Sequence, residues 1–152
     1  MKIPEFLFPL INPMMKLLLN SPLHPLMSHS VLVLYFKGRK SGRKYSTPLR
    51  YHRDDDVVRC FTSGETNWWR NFHDSSPASI QIRGERQNIV GKLVDAGTEV
   101  KRDILLNYLL AFPADAVYHN VRRQKGILVE EDLDAAAAHC RIVEFSKNVS
   151  SL

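Results

Sequence analysis

Cysteine is scarce: Cys60 and Cys140 are the two in a chain of 152 residues. That is too few for a disulfide scaffold, so an apolar core must hold the fold, and the count suits a reducing compartment such as the cytoplasm. Both cysteines read as buried strand residues. The six histidines, His24, His29, His52, His73, His119 and His139, show no H-E-x-x-H spacing and no Cys-x-x-Cys partner, which speaks against the common zinc patterns. A G-x-S-x-G elbow is missing, and with it the usual nucleophile of a serine hydrolase. No internal repeat is present, and low complexity is confined to the alanines at 135–138. Nor does any uninterrupted apolar run reach the ~20 residues that a spanning helix needs. The nearest candidate, residues 3–27, is broken by Pro9, Pro13, Pro22 and Pro25 and contains Asn12, Lys16 and Asn20. Residues 1–27 are therefore expected as an apolar helical segment, centred on 13–19, ahead of a domain over 28–152. Such a segment either caps the core or rests on a membrane surface.

What is present is an ordinary globular composition, 44% hydrophobic and 24% charged, at a length suited to one domain. Lysine and arginine number 21 against 16 acids, a formal charge of +5. An excess of cations favours an anionic partner: a phosphorylated cofactor, a nucleic acid or an acidic membrane.

Residues 31–36 form a β-branched and aromatic run short enough for a strand buried on both faces. Residues 46–52 read as a second strand, with Pro48 marking an edge or a strand start. A turn at Asp54-Asp55-Asp56 leads to a third strand over 57–62. Thr66 is placed to cap a short helix that carries Trp68, Trp69 and Phe72 on one face, and Pro77 closes that unit. Residues 79–82 and 87–94 are the next pair, turned at Gly84-Glu85. From Thr98 the period becomes helical, with Val100, Ile104, Leu105, Tyr108 and Leu109 on one side and a stop at Pro113. Further helices are expected over 114–123 and 130–139, the latter with acids in its first turn. A sixth strand follows over 140–145. The fold class is α+β, a small barrel of about six mainly antiparallel strands with peripheral helices.

The chemistry-bearing feature lies between residues 37 and 53. Lys37, Arg39, Lys40, Arg43, Lys44, Arg50 and Arg53 fall there, unaccompanied by a carboxylate until Asp54. Within it, Gly38 and Gly42 permit turn conformations closed to other residues, Arg39 offers a two-pronged phosphate contact, Lys40 a point charge and Ser41 a hydroxyl. The spacing matches neither a Walker A loop nor the dinucleotide fingerprint. By pattern alone a phosphate site and a merely basic hairpin are equally open. Nucleic acid is disfavoured, because the basic hairpin lacks exposed aromatics interleaved with its charges, apart from Tyr45.

Four pieces of sequence occur in order on this strand pattern: Gly38-Arg39-Lys40-Ser41-Gly42, Ser46-Thr47-Pro48-Leu49, Ser63-Gly64 and Trp68-Trp69-Arg70-Asn71-Phe72. Jointly, over about residues 31–94, they resemble the deazaflavin-dependent nitroreductase family of the flavin/deazaflavin oxidoreductase superfamily, whose members are split β-barrels. The resemblance implies an enzyme that passes a hydride from reduced coenzyme F-420 (8-hydroxy-5-deazaflavin) to a small or lipophilic acceptor. It implies that Arg39, Lys40 and Ser41 hold the phosphate and acidic tail, and that Ser63 and Gly64 lie beside the ring. Gly38, Gly42, Arg43, Thr47, Pro48, Leu49, Trp68 and Trp69 complete the implied cofactor site. Phe112 and Tyr118 fall where the family lines its substrate side, with Tyr118 as the hydroxyl donor to the acceptor. The chain departs from the family pattern at Tyr45, Glu65 and Asp115. FMN is the alternative cofactor, and a carrier of fatty acid or haem the non-enzymatic alternative. The expected partners are a small-molecule substrate, a second copy of the chain in a homodimer, and membrane through residues 1–27.

Overall fold

The computed structural model describes residues 31–62 and 66–147. The expected N-terminal helical segment, Ser63 and Gly64 lie outside the described residues.

Among the described residues, eight strands and two α-helices follow one another. Strands β1 (Val31–Lys37), β2 (Lys44–Asp54) and β3 (Val57–Thr62) come first, then a short 3₁₀ turn over Trp68–Phe72. Next are β4 (Ser76–Ile82), β5 (Glu85–Leu93) and helix α1 (Thr98–Ala111). A 3₁₀ turn over Pro113–Ala116, the two-residue strands β6 (Arg123–Gln124) and β7 (Ile127–Leu128), helix α2 (Glu130–His139) and β8 (Arg141–Ser146) complete the order. Six of the strands close into a barrel in the order β1-β2-β3-β8-β5-β4, every pair antiparallel. The expected architecture is therefore the observed one.

Alternation along the strands sorts side chains into two cores. Leu32, Leu34, Tyr51, Val58, Cys60, Ile80, Ile82, Ile89, Val143 and Phe145 point inward and are joined by Trp68, Trp69 and Phe72 from the 3₁₀ turn. Phe61 and Ile142, one residue out of step with Cys60 and Val143, point outward and meet Leu105, Tyr108 and Leu109 of α1 and Leu133 and Ala137 of α2. The helices thus cover β3 and β8, which stand across the ring from β4 and β1. Both cysteines are buried as expected, but only Cys60 is in a strand: Cys140 caps α2, and β8 begins after it, at Arg141. Burial pushes the Cys140 thiol up to about 12, and raises that of Cys60 further still.

Several expectations need correction. The hairpin between β4 and β5 turns at Arg83-Gly84, both at positive φ (53° and 78°), so Glu85 already belongs to β5. Strand β4 begins at Ser76 and runs through Pro77 instead of starting after it. Residues 114–123 do not form a helix. Pro113 starts a four-residue 3₁₀ turn, Asn120 takes a left-handed φ of 60°, and a hairpin turning at Lys125-Gly126 follows. Val100, expected on the buried face of α1, is 51% exposed, and burial begins one turn later. Thr66 does not cap the 3₁₀ turn. Asn67 holds that place, while Thr66 Oγ1 meets Thr62 Oγ1 at 2.7 Å. Pro48 lies inside β2, in the stretch paired to β1 alone; pairing to β3 starts at Tyr51, so a residue without an N–H is tolerated there.

Candidate functional site

The barrel has a seam. Strands β1 and β4 pair through three residues, Val33, Leu34 and Tyr35 against Gln81, Ile80 and Ser79. Beyond Tyr35, β1 continues to Lys37, paired to β2, and β4 extends back from Ser79 to Ser76, paired to β5, without pairing to each other. The two strands part, and a cleft of about 960 Å³ opens between them. One wall is Tyr35, Phe36, Lys37, Gly38, Arg39, Lys44, Tyr45 and Ser46; the other is Ser76, Pro77, Ala78, Ser79, Arg86, Asn88 and Ile89, with Asn71 and Phe72 closing one side.

The basic turn forms the rim of this cleft. Gly38 N–H donates to Arg43 O at 2.8 Å and Gly42 N–H to Gly38 O at 2.9 Å, which closes the turn, with Gly42 at a φ of +68°. A Cβ on Gly38 would stand 2.7 Å from both Ser41 Oγ and Tyr45 Cε2, so a side chain there would push Tyr45 off the turn. Arg43 N–H donates to Ser41 Oγ at 3.2 Å, and Ser41 Oγ and Tyr45 OH share a hydrogen bond of 3.2 Å. Arg39 N–H donates to Asn71 Oδ1 at 2.7 Å, and Asn71 Nδ2 donates to Trp68 O at 3.0 Å. Asn71 thereby locks the turn to the 3₁₀ segment and, through Trp68 and Phe72, to the barrel core.

This pattern changes how the turn can hold an anion. The backbone N–H groups of Gly38, Arg39, Gly42 and Arg43 are spent inside the protein, so at those four positions anion binding falls to side chains. Lys37, Arg39, Lys44 and Arg86 line the cleft, and no Asp or Glu is among the lining residues. Elsewhere four arginines are paired with carboxylates: Arg59 with Asp54 and Glu144, Arg102 with Asp134, Arg122 with Asp132 and Arg50 with Asp115. Among the described residues none of the four cleft cations has such a partner. An acid-free cleft with four unspent cations fits a phosphorylated, carboxylate-bearing cofactor.

Of the residues expected at the cofactor, Gly38 and Arg39 line the cleft. Lys40, Ser41, Gly42 and Arg43 sit on the exposed outer part of the same turn. Thr47 is buried, Pro48 and Leu49 are half-buried on β2, and Trp68 and Trp69 are core residues behind the cleft. Trp69 Nε1 is buried without a hydrogen-bond partner among the described residues. Phe112 and Tyr118 are placed elsewhere, by the outer core. Phe112 lies under the Arg50 guanidinium (5.1 Å) and near His52 (6.1 Å), and Tyr118 sits edge-on to His119 (5.2 Å). Asp115 holds that region, accepting from the Tyr108 hydroxyl and pairing with Arg50 Nε at 2.8 Å. Burial and the Asp115 bond together raise the Tyr108 phenol well above its ordinary range. The sequence reading assigned no role to Tyr35, Asn71, Arg86 or Asn88. Asn71 lies within the Trp68-Trp69-Arg70-Asn71-Phe72 motif, whereas the other three lie on strands whose neighbours across the sheet cannot be read from spacing.

Three solved structures show the likeness of fold. A protein of unknown function from Agrobacterium tumefaciens superposes with a TM-score of 0.55 at 16% identity, over 78% of this chain and 49% of that one. The chain thus spans about half of that relative's length. An F420-H2-dependent reductase superposes with a TM-score of 0.52 at 14% identity, over 77% and 94%. A domain-swapped dimer does so with 0.55 at 13%, over 91% and 98%. The search of curated proteins gave no match. The family model of the F420H2-dependent quinone reductases matches residues 20–132, well over half of the sequence. With an acid-free cationic cleft on a six-stranded barrel, this chain belongs to the F420H2-dependent quinone reductase family, a family of deazaflavin-dependent oxidoreductases.

Proposed function

We propose that the chain binds coenzyme F-420 with its phosphate at the rim of the seam cleft, between Arg39, Lys37 and Lys44, and reduces a quinone-like small molecule. The observation that carries this reading is the cleft lined by four cations that have no carboxylate partner among the described residues, and by no acid. When bound, the reduced deazaflavin supplies the hydride. The protein's own residues bind and orient: Arg39 offers a planar fork of N–H donors, Lys37 and Lys44 add point charges, and Asn71 fixes the turn so that little order is lost on binding. Phe36, Phe72 and Ile89 give the cleft an apolar wall. Lys40, Ser41 and Arg43 extend the same anion site outward. Ser63 and Gly64 as ring neighbours, and Phe112 and Tyr118 as acceptor contacts, rest on the likeness to the family.

The test is titration of F-420 fluorescence with wild type and Arg39→Ala. A lost charge-assisted fork should weaken binding roughly ten- to a hundredfold, with the thermal melting curve unchanged. Equal affinity in the two proteins would reduce the basic turn to a solvated hairpin.

A further inference from the structure

Away from the cleft, several cations gather round one indole. The Arg70 guanidinium lies 5.3 Å and the Arg141 guanidinium 5.1 Å from the centre of a Trp69 ring, and the His73 ring is 5.5 Å from Trp69. Trp69 and Arg70 belong to the 3₁₀ turn, and Arg141 opens β8. Arg141 is held in place, because its Nη1 donates to the carbonyls of His139 and Cys140 at 3.2 and 3.3 Å. Lys101, in the first turn of α1, lies within reach of the same charge. Burial holds its ammonium below the ordinary value, against an opposing pull from Cys140, and Arg141 adds to the fall.

Among the described residues none of Arg70, Arg141 and Lys101 has a carboxylate partner, although four other arginines do. Cations held together without an acid repel one another, and attraction to the face of a ring offsets part of that cost. A second observation points the same way. Trp69 is 7% exposed, and its Nε1 donor is buried with no hydrogen-bond acceptor. A buried donor left without a partner costs stability. Guanidiniums and an unspent N–H are both satisfied by an oxyanion. The cluster is separate from the cofactor cleft, since none of Trp69, Arg70, Lys101 and Arg141 lines it.

From this arrangement we propose that Trp69, Arg70 and Arg141 form an anion site distinct from the cofactor cleft, which takes a small oxyanion, a phosphate or a carboxylate, with Lys101 adding charge. Arg141, fixed by the two carbonyls, offers its remaining donors in a set direction. Arg70 is exposed, so its side chain can lift from the ring to admit the ligand to the indole N–H.

The experiment follows the indole N–H signals in proton–nitrogen correlation spectra during titration with inorganic phosphate or with succinate, using sodium chloride at matched ionic strength as the control. The chain has two tryptophans, so Trp69→Phe assigns the signals. The Trp69 signal should shift saturably with phosphate, with succinate or with both, and which of them acts names the ligand's chemistry. Arg70→Ala and Arg141→Ala should each weaken that binding about tenfold. Arg39→Ala, which alters the cleft, should leave it unchanged. The proposal is overturned if neither anion moves the Trp69 signal beyond the chloride control, or if both arginine variants bind as tightly as wild type. It is overturned equally if Arg39→Ala abolishes the shift, which would put the anion in the cleft. Arg141→Ala loses two hydrogen bonds to carbonyls and can lower the melting temperature, whereas Arg70 is exposed and Arg70→Ala should melt as wild type does, which separates lost binding from lost folding.

Discussion

At the scale of the residue, two positions show what a sequence discloses and what it withholds. The basic turn was legible because it lies in a stretch where seven cations fall between residues 37 and 53, and no folding is needed to see them. Arg86 was not, because its place in the cleft depends on Tyr35, 51 positions earlier, over whose ring its guanidinium lies, and on a sheet order that places β4 between the two. Gly91 was equally silent. It reads as an ordinary strand glycine, but a Cβ there would stand 2.6 Å from Phe72 Cδ1 and 2.8 Å from Phe145 Cε1. Both rings are fully buried, and they meet edge to face at 5.5 Å. The missing side chain thus makes room for the aromatic pair that anchors the 3₁₀ turn behind the cleft. Gly91→Ala should cost about 1–3 kcal/mol through overpacking, read as a lower urea midpoint at an unchanged slope. An unchanged midpoint would mean that the rings shift freely and that the core there is loosely built.

At the scale of the element, strands were read well and connections poorly. Hydrophobic alternation is a property of neighbouring residues and survives in the sequence. The end of a helix after Pro113 depends on what the chain meets next. Residues 114–123 looked helical because alanine and valine favour or tolerate a helix, yet the segment is fixed by long contacts instead. Asp115 joins it to Tyr108 of α1 and Arg50 of β2, and Val121 N–H donates to Ala116 O at 2.8 Å. Asp115, one of the positions at which the chain departs from the pattern it resembles, thus has a structural task. Tyr118 rides on this pinned segment, half-buried beside His119. Tyr118→Phe keeps the ring and its contact with His119. If the hydroxyl meets the acceptor, turnover with a quinone should fall several-fold while F-420 affinity stays constant. Unchanged turnover would remove Tyr118 from the acceptor site.

At the scale of the whole molecule, the charge of +5 is readable from composition but its placement is not. The fold spends carboxylates on the far side of the barrel. Arg59 on β3 is held by Asp54 and Glu144, and Arg102 and Arg122 are tied to the acidic face of α2 through Asp134 and Asp132. Arg122 in turn holds the Asp132 carboxyl below its usual range. Across the ring, the seam between β1 and β4 keeps Lys37, Arg39, Lys44 and Arg86 beside no acid of the cleft lining. Four cations thus stand together where the strands part, and their summed field draws an anionic ligand there before any specific contact forms. These cations are exposed at the rim, so salt must screen them: the screening length falls from about 10 Å at 0.1 M to about 3 Å at 1 M. Affinity for F-420 should drop steadily across that range, and the slope should be shallower in Arg39→Ala and in Arg86→Ala, each of which has one cation fewer to screen. Isothermal titration at four salt concentrations measures both. Should the wild-type affinity prove independent of salt, the ligand would be held by the apolar wall of Phe36, Phe72 and Ile89, and the cationic rim would have no part in binding.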